Sequence, residues 1–102
     1  MYRYTTPTLP LTISGIDFAD VDLFRVSIEQ KDVELLKVVE ADDPRVDAQH
    51  KTIYVPLTQA ETASFHAGTV AIQVRVKFEN GAVLATEKVS LSVKSVLDEV
   101  II

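Results

Sequence analysis

The chain contains no cysteine, which excludes disulfide bonds, thiolate metal ligands and a cysteine nucleophile. Its three glycines stand singly, at positions 15, 68 and 81, so no glycine-rich loop is present to cradle a phosphate. No apolar run approaches the roughly 20 residues of a membrane helix. The segment Met1–Pro7 also lacks the apolar region of a signal peptide. We therefore expect no membrane association. We expect the protein to be synthesised in a cytoplasm and either to stay there or to be packaged into an assembly.

Basic charge is scarce as well. Ten Lys and Arg face fifteen Asp and Glu, which gives a net charge of -5, and no run of adjacent cations occurs. Nucleic-acid binding depends on clustered cations that neutralise phosphates, so we expect no nucleic-acid partner. The 102 residues are 47% hydrophobic and 25% charged, the balance of an ordinary globular protein. Without repeats or linker-like stretches, residues 1–102 are expected to form a single domain around one core.

Alternating apolar and polar residues predict most of the secondary structure as strands. Pro10 and Pro56 each lack an N–H group and therefore favour strands at sheet edges. The segment Val33–Glu40 contains two adjacent apolar pairs, which predict a bulge or burial on both faces. The predicted strands before the final hairpin lie near residues 8–14, 24–29, 33–40 and 52–57.

Two short stretches depart from the strand pattern. Asp17–Asp22 reads as a loop or one helical turn. Thr58 and Glu61 have the spacing of a capping box, in which the hydroxyl and the carboxylate each bind the other residue's backbone amide. This pair predicts one short helix near residues 58–66.

The longest alternation, residues 70–78, leads into Asn80-Gly81, which favours a two-residue type I′ hairpin turn. Such a turn places the carboxylate of Glu87 on the apolar face, where it is costly unless paired. We expect either a bulge that shifts the register, or a strand that leaves the core so that Glu87 meets a cation. The predicted cross-strand partners are Phe78 with Val83, Val76 with Ala85, Val74 with Glu87, Ile72 with Val89 and Val70 with Leu91.

Residues with catalytic or metal-binding chemistry are isolated from one another. His50 and His66 have no second imidazole or carboxylate at a convincing spacing. Ser64 lies two residues from His66, without a nucleophile-elbow motif. We therefore predict that the protein is not an enzyme and that it has no catalytic, cofactor or metal site. A hydrolase would need a deep pocket that joins Ser64, His66 and a carboxylate. The acidic loop residues depart from calcium-loop spacing and are expected to be solvated; they are Asp17, Asp20, Asp22, Glu40, Asp42, Asp43 and Asp47.

The two ends of the chain are the predicted contact surfaces. Residues 96–102, hereafter the C-terminal segment, are unusually apolar for a terminus and are expected to pack on their own domain or on a neighbour. Tyrosine suits a surface that buries apolar area while a hydroxyl remains satisfied. The predicted partner-binding residues are Tyr2, Tyr4, Val96, Leu97, Val100, Ile101 and Ile102.

These elements together predict an all-β, immunoglobulin-like sandwich of about seven short strands with one short helix. Four pieces in order, RYTTPTLPLTISG, PLTQAET, IQVRVKFENGAVLATE and SVLDEVII, resemble small β-sandwich proteins of phages and prophages of Gram-positive bacteria. The pattern is similar to the N-terminal domain of phage baseplate upper proteins, which attach receptor-binding parts to the tail. Relatives often carry Gly where Tyr4 and Glu99 stand here.

The resemblance implies a structural or adaptor protein of the virion, near the tail tip or baseplate and assembled in the host cytoplasm. Its expected partners are copies of itself or other virion proteins, and no cofactor is implied. Because sandwiches often bind sugars, a module that recognises carbohydrate or another cell-surface component is the alternative.

Overall fold

Half of the chain lies in β-strands. The structure, a computed structural model, describes residues 1–102, with 50% of them in strands and 8% in helices. The all-β sandwich is confirmed, with eight strands where about seven were predicted. The strands are β1 (Thr8–Thr12), β2 (Val21–Gln30), β3 (Val33–Glu40), β4 (Val46–Asp47), β5 (Thr52–Pro56), β6 (Gly68–Phe78), β7 (Val83–Ala85) and β8 (Val89–Val93). A 3-10 turn covers Phe18–Asp20, and the helix α1 covers Gln59–Ala63.

Two antiparallel sheets form the sandwich. The smaller sheet has the strand order β1-β5-β4. In the larger sheet β3, β2 and β6 are neighbours, and β7 and β8 pair with successive parts of the remaining side of β6. The inward faces of both sheets enclose a core of 17 buried hydrophobic residues, and removing this apolar surface from water is the main stabilising contribution.

The alternation predicted for β2 and β6 is confirmed. Phe24 pairs with Val76, and Val26 pairs with Val74, all on the inward face. Phe24 and Val26 are fully buried. These two central strands carry the largest share of the core, since each packs an unbroken apolar row against the opposite sheet.

The predicted type I′ turn is wrong. Gly81 has a positive φ of 89°, but Asn80 does not. The amide of Gly81 donates to the Phe78 carbonyl, and the amide of Phe78 donates to the Ala82 carbonyl, both at 2.9 Å. These bonds define a three-residue loop, a turn followed by a glycine in the left-handed region. The first part of the return strand is consequently one residue out of the predicted register, with Lys77 opposite Val83.

The predicted bulge near Glu87 is confirmed. Thr86 bonds to Val74 through backbone and side chain, whereas Ile72 lies opposite Val89. One extra residue therefore falls between β7 and β8 and restores the predicted register in β8. Glu87 is exposed and forms no ion pair. The extra residue thus releases its carboxylate from the core, and the alternative pairing with a cation does not occur.

The prediction for Val33–Glu40 is wrong. β3 pairs with β2 without a register shift, and its burial alternates regularly. The outward side chains Leu36 and Val38 remain 42% and 50% exposed. β3 is an edge strand on a sheet that has no second layer over its outer face, so nothing covers them.

The two prolines differ in position. Pro10 lies on the edge strand β1, as predicted. The edge position predicted from Pro56 is wrong, because β5 is the central strand of its sheet. β4 pairs only with Thr52 and Ile53, so Pro56 lies beyond its reach and no ladder bond is lost there.

The short helix and its capping box are confirmed. The Glu61 amide donates to the Thr58 hydroxyl at 3.1 Å, and the Thr58 amide donates to the Glu61 carboxylate at 2.8 Å. The Lys37 ammonium, on the inward face of β3, lies 2.6 Å from the same carboxylate. This ion pair fastens α1 to the edge of the larger sheet.

Candidate interaction surfaces

Both ends of the chain are fastened beside α1. The Arg3 guanidinium donates to the Ala63 carbonyl at 2.9 Å, at the end of the helix, and lies 3.4 Å from the Glu99 carboxylate. The buried Thr62 hydroxyl donates to the Thr5 carbonyl at 2.9 Å. These bonds bring the first and last residues of the chain onto one surface.

The C-terminal segment packs on its own domain through its backbone while most of its large side chains face solvent. The Gln59 amide group donates to the Ile102 carbonyl at 2.6 Å and accepts from the Ile102 amide at 3.0 Å. Leu97 is fully exposed, and Ile102 is 93% exposed. Val100 and Ile101 are 60% and 55% exposed. Four large apolar side chains are thus presented on a tethered segment.

The other predicted contact residues, Tyr2, Tyr4 and Val96, differ in their exposure to solvent. Tyr2 is 51% exposed, pairs with Lys94 in a parallel bridge, and has the Lys94 ammonium 5.6 Å from its ring centre. Tyr4 is half-buried and has a φ of 59°, in the left-handed region. Val96 is also half-buried. The structure therefore exposes five of the seven predicted residues and partly covers Tyr4 and Val96.

A groove opens where the free edges of the two sheets do not meet. It has a cavity volume of about 710 Å³ and lies between the β1 end of the smaller sheet and β6, β7 and β8 of the larger one. Leu84 and Val89 line it, and they are 53% and 52% exposed although each lies opposite a buried residue of β6. Nine of its fifteen lining residues are hydrophobic.

The outer face of the larger sheet gathers cations that are far apart in the sequence. Arg25 lies directly opposite Arg75 on the neighbouring strand, and neither forms an ion pair. Lys77 is two residues from Arg75 on the same face and lies 3.9 Å from the Asp22 carboxylate. We call these three cations, with the apolar side chains around them, the cationic face. Its apolar members are Leu23, Leu36, Val38 and Val83.

Sequence reasoning missed the groove and the cationic face. Leu84 lines the groove from β7, and the register of β7 differs by one residue from the one that a type I′ turn at Asn80-Gly81 predicts. The cationic face depends on which strands are neighbours, and scattered cations in a sequence give no sign of it. Only the pairing of β2 with β6 could have revealed it.

Among the titratable and nucleophilic side chains singled out in the sequence, His50 meets Asp47, whereas Ser64 and His66 form no hydrogen bond with each other. Ser64 donates its hydroxyl hydrogen to the Glu61 carbonyl at 2.6 Å. His66 is bound to Gln30 through its backbone amide and carbonyl. His50 lies 2.7 Å from the Asp47 carboxylate, and this hydrogen bond lowers the pKa of Asp47 in spite of the opposing effect of burial. No three His, Cys, Asp or Glu residues are grouped as they would be around a metal ion.

No helix in the chain has the length and apolar character that crossing a membrane requires. Comparison of the chain with protein-family models, with curated proteins and with solved structures found no match.

Proposed function

We propose that this is a non-enzymatic structural protein that acts through protein–protein contacts made by its C-terminal segment. The observation that carries the proposal is the exposure of Leu97, Val100, Ile101 and Ile102 within six residues. Burying a large aliphatic side chain contributes about 1.5–3 kcal/mol. A segment that leaves four of them in water therefore offers a partner several kcal/mol of apolar burial.

The tether supports a binding role for this segment. Gln59 holds the backbone of Ile102 with two hydrogen bonds, and Arg3 pairs with Glu99. A segment that is already ordered loses less conformational entropy when a partner covers it, so more of the burial energy remains as affinity. Tyr2, on the adjoining N-terminal residues, extends the surface with an aromatic ring that is half exposed.

The resemblance to phage and prophage proteins supports a place in the virion, in the tail or baseplate, with assembly in the host cytoplasm. The position of Tyr4 is consistent with that resemblance: relatives often carry Gly there, and its φ of 59° is one that glycine adopts without strain. The partners are then copies of this chain or other virion proteins.

The proposal is tested by measuring association of the purified protein with itself and with the purified products of the neighbouring genes. Sedimentation velocity compares the parent with Leu97→Ser/Ile101→Ser. Tyr54→Ser is the matched control, since Tyr54 is 39% exposed, lies on β5 and is not part of the C-terminal segment. We expect the double variant to weaken association at least about tenfold, which is 1.4 kcal/mol, and the control to leave it unchanged.

Absence of any association, or association that survives the double variant, would contradict the proposed contact. Tail genes on both sides of the coding sequence would support the virion assignment, and their absence would contradict it. No observation favours the carbohydrate alternative, because the groove between the sheets is mainly apolar and sugar hydroxyls need hydrogen-bond partners. Specific binding on a glycan array would nevertheless replace the present proposal.

A further inference from the structure

The cationic face combines unpaired positive charge with exposed apolar surface. Like charges directly opposite each other on a sheet are destabilising, yet Arg25 faces Arg75 and neither has an acidic partner. Glu40, at the β3 edge of this face, pairs with neither arginine. The same outer face also carries Glu29 and Glu34, but they too form no ion pair with Arg25 or Arg75. The two guanidinium groups are therefore uncompensated in a chain whose net charge is -5.

Apolar side chains surround the two arginines. Val38 lies opposite Arg25 on β3 and is 50% exposed, and Val83 lies opposite Lys77 on β7 and is 47% exposed. A shallow depression of about 190 Å³ runs between Arg25, Arg75 and Val83. A ligand that fits this face must therefore supply negative charge together with apolar side chains.

The C-terminal segment has that composition. Asp98 and Glu99 stand between Leu97 and Val100. Leu97 is fully exposed and Val100 is 60% exposed, and Asp98 is exposed and forms no ion pair. Glu99 reaches only Arg3, at 3.4 Å, and is itself 53% exposed. The acidic pair flanked by aliphatic side chains is the chemical complement of cations flanked by aliphatic side chains.

The segment of the same copy does not occupy the face. Its backbone is bound to Gln59 at Ile102, and Arg25 and Arg75 have no carboxylate partner in the structure. We therefore propose that the cationic face binds the C-terminal segment of a second copy of this chain, with Asp98 and Glu99 against Arg25 and Arg75. This inference rests on the proposed function, because it names the partner of the same segment. A reciprocal pair and a head-to-tail chain would both contain this contact.

The test is a charge exchange followed by sedimentation velocity and a salt titration. Arg25→Glu/Arg75→Glu makes the face negative, and Asp98→Arg/Glu99→Arg makes the segment positive. Each variant alone is expected to weaken self-association at least tenfold. An equimolar mixture is expected to recover association, because the face of one variant then matches the segment of the other. Association of the parent is expected to weaken as salt rises.

Two controls separate this contact from general charge effects and from misfolding. Lys31→Glu/Lys88→Glu changes the net charge by the same amount as the face reversal, at exposed residues that form no ion pairs, and should leave association unchanged. Arg25→Gln/Arg75→Gln removes charge without adding any and should give an intermediate loss. Thermal unfolding of each variant verifies that it is folded.

The outcomes distinguish this inference from the proposed function. If Leu97→Ser/Ile101→Ser abolishes association while Arg25→Gln/Arg75→Gln has no effect, the segment binds elsewhere and the cationic face is not its site. Failure of the mixed variants to associate would overturn the inference equally. A parent that stays monomeric would overturn it too, while binding to another virion protein could still uphold the proposed function.

Discussion

Glu61→Gln should destabilise the protein at neutral pH, because it removes the negative charge of a carboxylate that contacts both the Thr58 amide and the Lys37 ammonium. Glu61 accepts a hydrogen bond from the Thr58 amide at 2.8 Å and lies 2.6 Å from the Lys37 ammonium. Glutamine also serves in a capping box. The substitution therefore keeps the cap at α1 and removes the ion pair with β3.

The structure sets the size of this effect. The side chains of Lys37 and Glu61 are only 27% and 19% exposed. Their ion pair therefore contributes more to the free energy of unfolding than a fully exposed pair does, and about as much as a hydrogen bond to a charged group. We expect a loss of about 1.5 kcal/mol in the free energy of unfolding. For a domain of this size the midpoint of thermal unfolding should fall by about 6–12 °C.

The effect should depend on pH in a definite direction. Burial alone would raise the pKa of Glu61, but the hydrogen bond and charge of Lys37, with the Thr58 amide, outweigh it and hold this pKa below the ordinary value of 4.5. A carboxyl group whose pKa is lowered by folding stabilises the protein above its unfolded value. That contribution is lost as the pH falls through the lowered value. The difference between parent and Glu61→Gln should therefore be complete at pH 7 and shrink below about pH 4.5.

Urea unfolding at a series of pH values measures this difference, and a double-mutant cycle with Lys37→Met isolates the pair. We expect a coupling energy of about 1 kcal/mol at pH 7. Thr58→Ala is the matched control, since it removes the reciprocal cap bond and leaves the ion pair in place. Equal stability of parent and Glu61→Gln at pH 7, or a difference that grows in acid, would refute the reasoning.

Three further substitutions test other parts of the fold by thermal or urea unfolding. Lys31→Gly should stabilise the protein by about 1 kcal/mol, because Lys31 has a φ of 44° in the tight turn between β2 and β3; a loss of stability would show that the lysine is not strained. Glu87→Val should change stability by no more than about 0.5 kcal/mol, because the side chain is exposed, whereas a gain of 1 kcal/mol or so would favour the type I′ register that puts it in the core. Phe24→Ala should cost about 3–5 kcal/mol, because Phe24 is fully buried and packs on Phe18 at 5.1 Å between ring centres; a cost below about 1 kcal/mol would contradict the described core.

Signals within a few residues of one another were enough to predict much of this fold. The alternation in β2 and β6 and the pairing of Thr58 with Glu61 both act over short distances, so the sequence displays them directly. The hairpin turn is different. Gly81 at positive φ suits both a two-residue and a three-residue loop, and only packing of the return strand decides between them.

Features that depend on strand order could not be predicted. The exposure of Leu36 and Val38 follows from the absence of a second layer over the outer face of β3, which an apolar pair cannot indicate. Arg25 and Arg75 meet because β2 pairs with β6 in one particular register. The alternatives predicted for the C-terminal segment were packing on its own domain and docking on a neighbour. Its tether to Gln59 could not be predicted, because it depends on where α1 lies.

The pairing of Arg25 with Arg75 also bears on how fast the chain folds, since these residues are separated by half its length. The smaller sheet joins similarly remote segments, with Leu9 opposite Val55. Loop-closure entropy must be lost before such contacts become favourable, so domains of this kind reach the native state on the order of milliseconds to seconds. Neither the N-terminal half nor the C-terminal half of the chain holds both partners of these pairs, and fragments cut between β3 and β5 should stay unfolded until they are recombined.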